Sequence, residues 1–400
     1  MSNAEEKENG SCGAAGDGTE EIVRLAPAGS VAAVFAEREE TLGAYARLLR
    51  KRGIMARRLP LHTSVQQLQE LRPDADVRIV IALGGNAAAD CAKYWGKAHG
   101  LPVFAAVSSP CALRVLSPYC ELYDRGILRP VQGVAPRGAA VLRDLITADG
   151  NELPAAFGDL AATAAHLFDG AATARATGGA VSAALYEQVL DGLSDTVTYA
   201  TTAGRDDARL PVVLAQASLD TARLLQGEEN ILYGGAECCV RTAEMLLRHE
   251  ERKPMLRGET AFVFGATLAE LYRAFADAPS VFLPPPDNNL RAERLARFLG
   301  WNELTAARAA TGCGLHVALA AYRLNEYRDD LSELAADACR LFDQAKRTFR
   351  RLYRDDGFSL RGALDGSDAR AVIALAPDTF PARLSALSLM RELGFLERYL

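Results

Sequence analysis

The chain has no apolar run approaching the roughly 18–20 residues that a membrane-spanning helix needs. Its first residues carry Glu, Gly and Ser where a secretory leader would place basic and then apolar residues. Neither a membrane role nor secretion is expected, and the reading is a cytoplasmic protein. Positive charge is also in short supply. With 45 Lys+Arg against 51 Asp+Glu, a formal charge of −6, nothing draws the chain to nucleic acid or to anionic lipid. The eight cysteines include no C-x-x-C pair, and adjacent Cys238 and Cys239 could bridge only through a strained ring. They read as reduced thiols. Histidine is scarce, five residues in 400, so a site built on several imidazoles has few candidates. The G-x-G-x-x-G fingerprint of dinucleotide-binding βαβ units is absent.

What is present is the composition of a globular protein, 49% hydrophobic and 24% charged, at a length that suits two domains. Residues 1–20, rich in Gly, Ser, Ala and Glu without periodicity, are expected to form a disordered tail. From 21 to about 150, short β-branched runs (Val31–Phe35, Ile54–Leu59, Arg78–Leu83, Pro102–Val107, Ala139–Leu142) alternate with helical patterns. That rhythm predicts a Rossmann-like α/β domain with a parallel sheet. A hairpin is expected over Pro118–Val131. From 151 to 400, apolar residues at i, i+3, i+4 spacing predict an all-helical domain. Pro284–Pro286 would form a rigid link within it, and single helices are expected over Ala306–Arg323 and Phe380–Glu392. The cleft between the domains is the expected place for a small-molecule ligand. Assembly of identical chains into a homo-oligomer is left open.

The clearest local pattern is the strand Arg78–Leu83 running through Gly84-Gly85-Asn86 into an Ala-rich helix that holds Asp90 and Lys93. Glycines let a phosphate approach the backbone, and the free N–H groups of a helix N-terminus attract it, so this turn is a candidate diphosphate site. A plain tight turn between strand and helix is the alternative.

Val80-Ile81-Ala82-Leu83-Gly84-Gly85-Asn86-Ala87-Ala88-Ala89-Asp90-Cys91-Ala92-Lys93 resembles the Gly-Gly-Gly-Ser-x-x-Asp-x-x-Lys segment of the dehydroquinate synthase-like and iron-containing alcohol dehydrogenase superfamily. The nearest branch is glycerol-1-phosphate dehydrogenase. Val107-Ser108-Ser109 with Ser117-Pro118, Phe157-Gly158-Asp159-Leu160, Gly234-Gly235-Ala236-Glu237-Cys238 and Arg257-Gly258-Glu259 resemble further segments of it, in the same order. The resemblance implies NAD or NADP on Gly84, Gly85, Asn86, Asp90 and Lys93. Ser108 and Ser109 would lie toward the nicotinamide, and Glu37 after the first strand would take the adenosine ribose. It implies a catalytic zinc or iron held by one carboxylate and two histidines, which fall on Asp159, Cys238 and Arg257. Only the aspartate is kept, and a guanidinium has no lone pair to offer a metal. Asp159 and Arg257 are therefore the candidate catalytic pair, with Arg257 standing on Asp159 in place of the cation. Asp159 and Cys238 are what is left of a metal site. The loop Pro110–Leu116 also lacks the acidic residue of the glycerol-1-phosphate branch. The readings this leaves are an NAD(P)-dependent oxidoreductase for a small alcohol, polyol or polyol phosphate, a catalytically inactive nucleotide-binding relative, and a sugar-phosphate cyclase.

Overall fold

In the computed structural model the described residues are 19–278, 287–310, 316–353, 364–379 and 384–399. The tail before Thr19, the Pro284–Pro286 link and the segment 380–383 lie outside them. A short helix α1 (Thr19–Leu25) leads into β1 (Val31–Ala36), α2 (Glu39–Lys51), β2 (Met55–Leu59), α3 (Val65–Glu70), β3 (Val77–Gly84), α4 (Asn86–His99) and β4 (Val103–Val107). A hairpin follows, β5 (Tyr119–Asp124) and β6 (Ile127–Gln132), and then β7 (Gly138–Val141). Five strands form one parallel sheet in the order β2-β1-β3-β4-β7.

The inner strands β1, β3 and β4 read as nearly continuous apolar runs because both sheet faces are covered there. In β1, Val31, Ala33 and Phe35 pack with α4 and Trp95, while Ala32, Val34 and Ala36 pack with Tyr45 and Leu49 of α2. The hairpin turns at Arg125 and Gly126, both at positive φ as a tight two-residue turn requires. Beside the turn, Tyr123 N–H donates to the Thr63 carbonyl at 2.7 Å.

Among the described residues the regular structure of the second half is all helical: α5 (Glu152–Thr177), α6 (Ala183–Ala203), α7 (Leu210–Leu224), α8 (Glu229–Leu232), α9 (Gly235–His249), α10 (Arg257–Asp277), α11 (Asn288–Leu299), α12 (Glu303–Ala309), α13 (Val317–Glu326) and α14 (Arg328–Arg351). They are followed by α15 (Gly366–Thr379), α16 (Ala386–Glu392) and α17 (Leu396–Tyr399). The expected single helix over Ala306–Arg323 is two helices, because the His316 ring accepts the Leu319 N–H and starts a new one. The closing helix begins at Ala386 and not at Phe380, and α15 was not anticipated.

Helix α5 is apolar on nearly every side and runs buried through the helical core. Its start packs backbone to backbone against the start of α10. A Cβ on Gly258 would come within 1.7 Å of the Ala155 carbonyl oxygen, and one on Gly158 within 2.3 Å of the Gly258 oxygen. These two glycines bring Asp159 and Arg257 into the same region. Ala215, Leu219 and Ala222 of α7 join the core under the sheet and anchor the helical half to it.

Candidate functional site

Where the C-terminal ends of the strands meet the starts of α5 and α10 there is a cavity of about 380 Å³. Glu37, His62, Asn86, Asp90, Ser109 and Arg114 line it from the first domain. Glu121 and Tyr123 reach it from the hairpin, and Glu152, Asp159, Glu244 and Arg257 from the helices.

The glycine turn is where the sequence put it, between β3 and α4. Gly84 has φ +150°, open to glycine and strained for other residues, and no Cβ could sit at Gly85, because the Cys111 carbonyl oxygen would be 2.3 Å away. The amides of the turn already have partners within the chain. Gly85 N–H and Ala88 N–H donate to the Glu37 carboxylate at 3.0 and 3.2 Å, and Asn86 N–H donates to the Cys111 carbonyl at 2.9 Å. Glu37 therefore lies on the helix N-terminus, not free at the end of its strand to meet a ribose. Burial raises its pKa against the pull of those two N–H groups. In this arrangement a dinucleotide diphosphate does not fit the turn.

Asp90 and Lys93 pair with each other at 3.0 Å, and the fully buried Lys93 ammonium also donates to the carbonyls of Arg114 and Tyr119. Lys93 thus fixes the loop that carries Arg114, while Asp90 lines the cavity with its pKa raised by burial. Ser108 is buried, its N–H on the Gly84 carbonyl, and Ser109 Oγ accepts the Cys111 N–H at 3.3 Å. Only Ser109 of the two faces the cavity.

The position read as a degraded metal centre holds a buried ion-pair cluster. Arg114 contacts both Asp159 oxygens, at 3.1 and 3.2 Å, with the Asn86 amide near the same carboxylate at 3.4 Å. The expected Arg257–Asp159 pair does not form. Arg257 is held instead by Glu121 and Glu237, and Arg241 reaches the other Glu121 oxygen at 3.0 Å. Burial alone would raise the Glu121 carboxyl, but Arg257, Arg241 and Arg114 hold it down at about 2. Burial and the neighbouring Arg114 lower the Arg257 pKa. Cys238 accepts from Arg241 at 3.2 Å, and burial raises its thiol, away from the thiolate that a metal requires.

His166 is buried beside this cluster. Burial pushes its pKa down to about 3, and Nδ1 has no hydrogen-bond partner among the described residues. It lies on the aspartate's own helix but joins no ligand set, and no group of three His, Cys, Asp or Glu side chains suited to a metal occurs among the described residues. A divalent cation does not fit here. The one carboxylate kept from the ligand set is engaged on both oxygens, and a guanidinium, Arg257, stands at the third ligand position.

No protein-family model matches the chain, and no curated protein sequence does. Solved structures match it over most of its length. A glycerol dehydrogenase from Schizosaccharomyces pombe is 17% identical, with a TM-score of 0.52 over 82% of this chain and 87% of that one. An archaeal halo-thermophilic alcohol dehydrogenase from a Red Sea brine pool is 11% identical, with a TM-score of 0.59 over 96% of this chain and 94% of that one. The fold is that of these glycerol and alcohol dehydrogenases. On this alcohol dehydrogenase fold the cavity lies between the α/β and helical parts, and among the described residues no helix is long and apolar enough to cross a membrane.

Three residues that organise the site were missed from sequence: Arg114, Glu121 and Arg241. Arg114 could have been found, because an arginine amid Ala112, Leu113, Val115 and Leu116 sits in a buried stretch and must have a carboxylate partner. Glu121 and Arg241, far apart in sequence, carried no such signal.

Proposed function

We propose that this chain is a metal-independent relative of the polyol and alcohol oxidoreductases, whose cleft binds a small, uncharged, polar molecule without metal-assisted hydride transfer. One observation carries the reading: Arg114 covers Asp159 while Arg257 pairs with Glu121 and Glu237 where a cation's ligands would be. Six carboxylates against two guanidiniums line the cleft, a lining that repels anions, and Leu61, Leu122, Leu128 and Leu256 give it apolar walls. Both features suit a polyol-like ligand better than an anion. The test is turnover: small alcohols and polyols are offered with NAD or NADP, with and without added zinc or iron, and reduced nucleotide is followed by absorbance. No metal-dependent turnover is expected; turnover that appears with zinc or iron would overturn the reading.

A second reading, an NAD(P)-dependent oxidoreductase for a small alcohol, polyol or polyol phosphate, is favoured by the fold and requires the Glu37 carboxylate to leave the amides of the glycine turn. Here the guanidinium of Arg114 or Arg257 would stabilise an alkoxide by hydrogen bonding, with less polarising power than a metal. Metal-independent turnover in the same assay would select it.

A further inference from the structure

We infer that Glu37 is a specificity-determining residue of the cleft: its carboxylate takes the place of a nucleotide phosphate on the amides of Gly85 and Ala88, and so excludes phosphate-bearing ligands from the glycine turn.

The backbone sets the placement. Glu37 follows β1, and its N–H donates to the Leu83 carbonyl at 3.1 Å, which holds the residue beside the end of β3. Its side chain then fills the space that glycine leaves open, since a Cβ on Gly84 would stand 2.6 Å from the Glu37 carboxyl carbon. The loop after β4 closes the other side, with Ser108 N–H on the Gly84 carbonyl at 3.1 Å and the Cys111 carbonyl over Gly85 and Asn86. The absent side chains of Gly84 and Gly85 thus make room for the protein's own groups. The neighbouring Arg38 donates to Glu152 and to the Thr147 carbonyl, not to Glu37. The N–H groups of the helix terminus are therefore what hold the carboxylate. A phosphate arriving at the turn would have to displace it and then lie near Glu152 and Asp90.

A carboxylate on a helix N-terminus is favoured by a few-fold up to about thirtyfold. A ligand that must first expel it loses affinity by the fraction of time the site is open, about tenfold in the middle of that range. This inference rests on the turn and not on the ion-pair cluster, so it can fail while the metal-independent reading stands.

The experiment is titration calorimetry of the full chain with ADP and with NADH, for the wild type, Glu37→Gln and Glu37→Ala. The glutamine keeps an oxygen to accept the two N–H bonds but removes the charge, and thermal unfolding shows which variants are folded. The expected result is that both ligands bind the wild type weakly and the folded variants about tenfold more tightly. If the alanine variant does not fold, the glutamine variant alone decides. Tight NADH binding by the wild type that weakens on substitution would make Glu37 a ligand of the cofactor and overturn the inference. Folded variants that bind no better than the wild type would overturn it as well.

Discussion

Arg114 and Asp159 are both nearly fully buried, and each is the other's closest opposite charge. Removing one leaves an uncompensated charge in a place that cannot hydrate it, which costs about 3–5 kcal/mol. Arg114→Met should lower stability by that order in urea denaturation, and the Arg114→Met, Asp159→Leu double variant should lose less than the single one. Equal losses would mean that the pair is not coupled. His166 supplies a second test at this scale. Its imidazole, near 6.5 when unfolded, is pushed to about 3 by burial in the fold. The unfolded chain therefore takes the proton first, so the stability that the neutral ring contributes above pH 6.5 is lost as pH falls, by about 1.4 kcal/mol per unit. Between about pH 7.5 and about pH 5 the wild type should lose roughly 2 kcal/mol more than His166→Gln. A stability difference between the two that does not change with pH would show the ring to be solvated or charged.

Among the elements, the α5–α10 crossing matters most for the site, since it places Asp159 and Arg257. Gly258→Ala would drive a methyl group into the Ala155 carbonyl and force the helices apart. A loss of about 3 kcal/mol or more in thermal or urea unfolding is expected. Gly192, in the exposed middle of α6 with nothing near its missing Cβ, is the contrast: Gly192→Ala should stabilise by about 0.5–1 kcal/mol. If both substitutions proved neutral, the backbone contact would be wrong. Elements of this kind were legible in the sequence because periodicity is local. The buried strands, the glycine turn and most helices lie within a few residues of their expected ends. Pairings across the chain were not legible. Glu37 lies 48 residues before Gly85, and its residue type suits a ribose as well as a helix terminus. Arg257 was placed on Asp159 because the two stand in for ligands of one ion, but Glu121 from the hairpin competes for it and wins.

For the molecule as a whole, the central claim is that guanidinium–carboxylate pairing, with no metal ion, joins the α/β half to the helical half at the cleft. Arg114 crosses from the first half to α5, and Arg257 and Arg241 cross from α10 and α9 to the hairpin. A resident cation bound at 100 times its dissociation constant would add about 2.7 kcal/mol of stability, and a chelator would remove it. The most direct measurement is therefore elemental analysis of the full chain, purified without chelator or affinity nickel, with thermal unfolding of the same sample before and after EDTA. The account predicts far less than one equivalent of zinc or iron per chain and an unchanged unfolding temperature. Stoichiometric metal, with a marked fall in unfolding temperature on chelation, would contradict it.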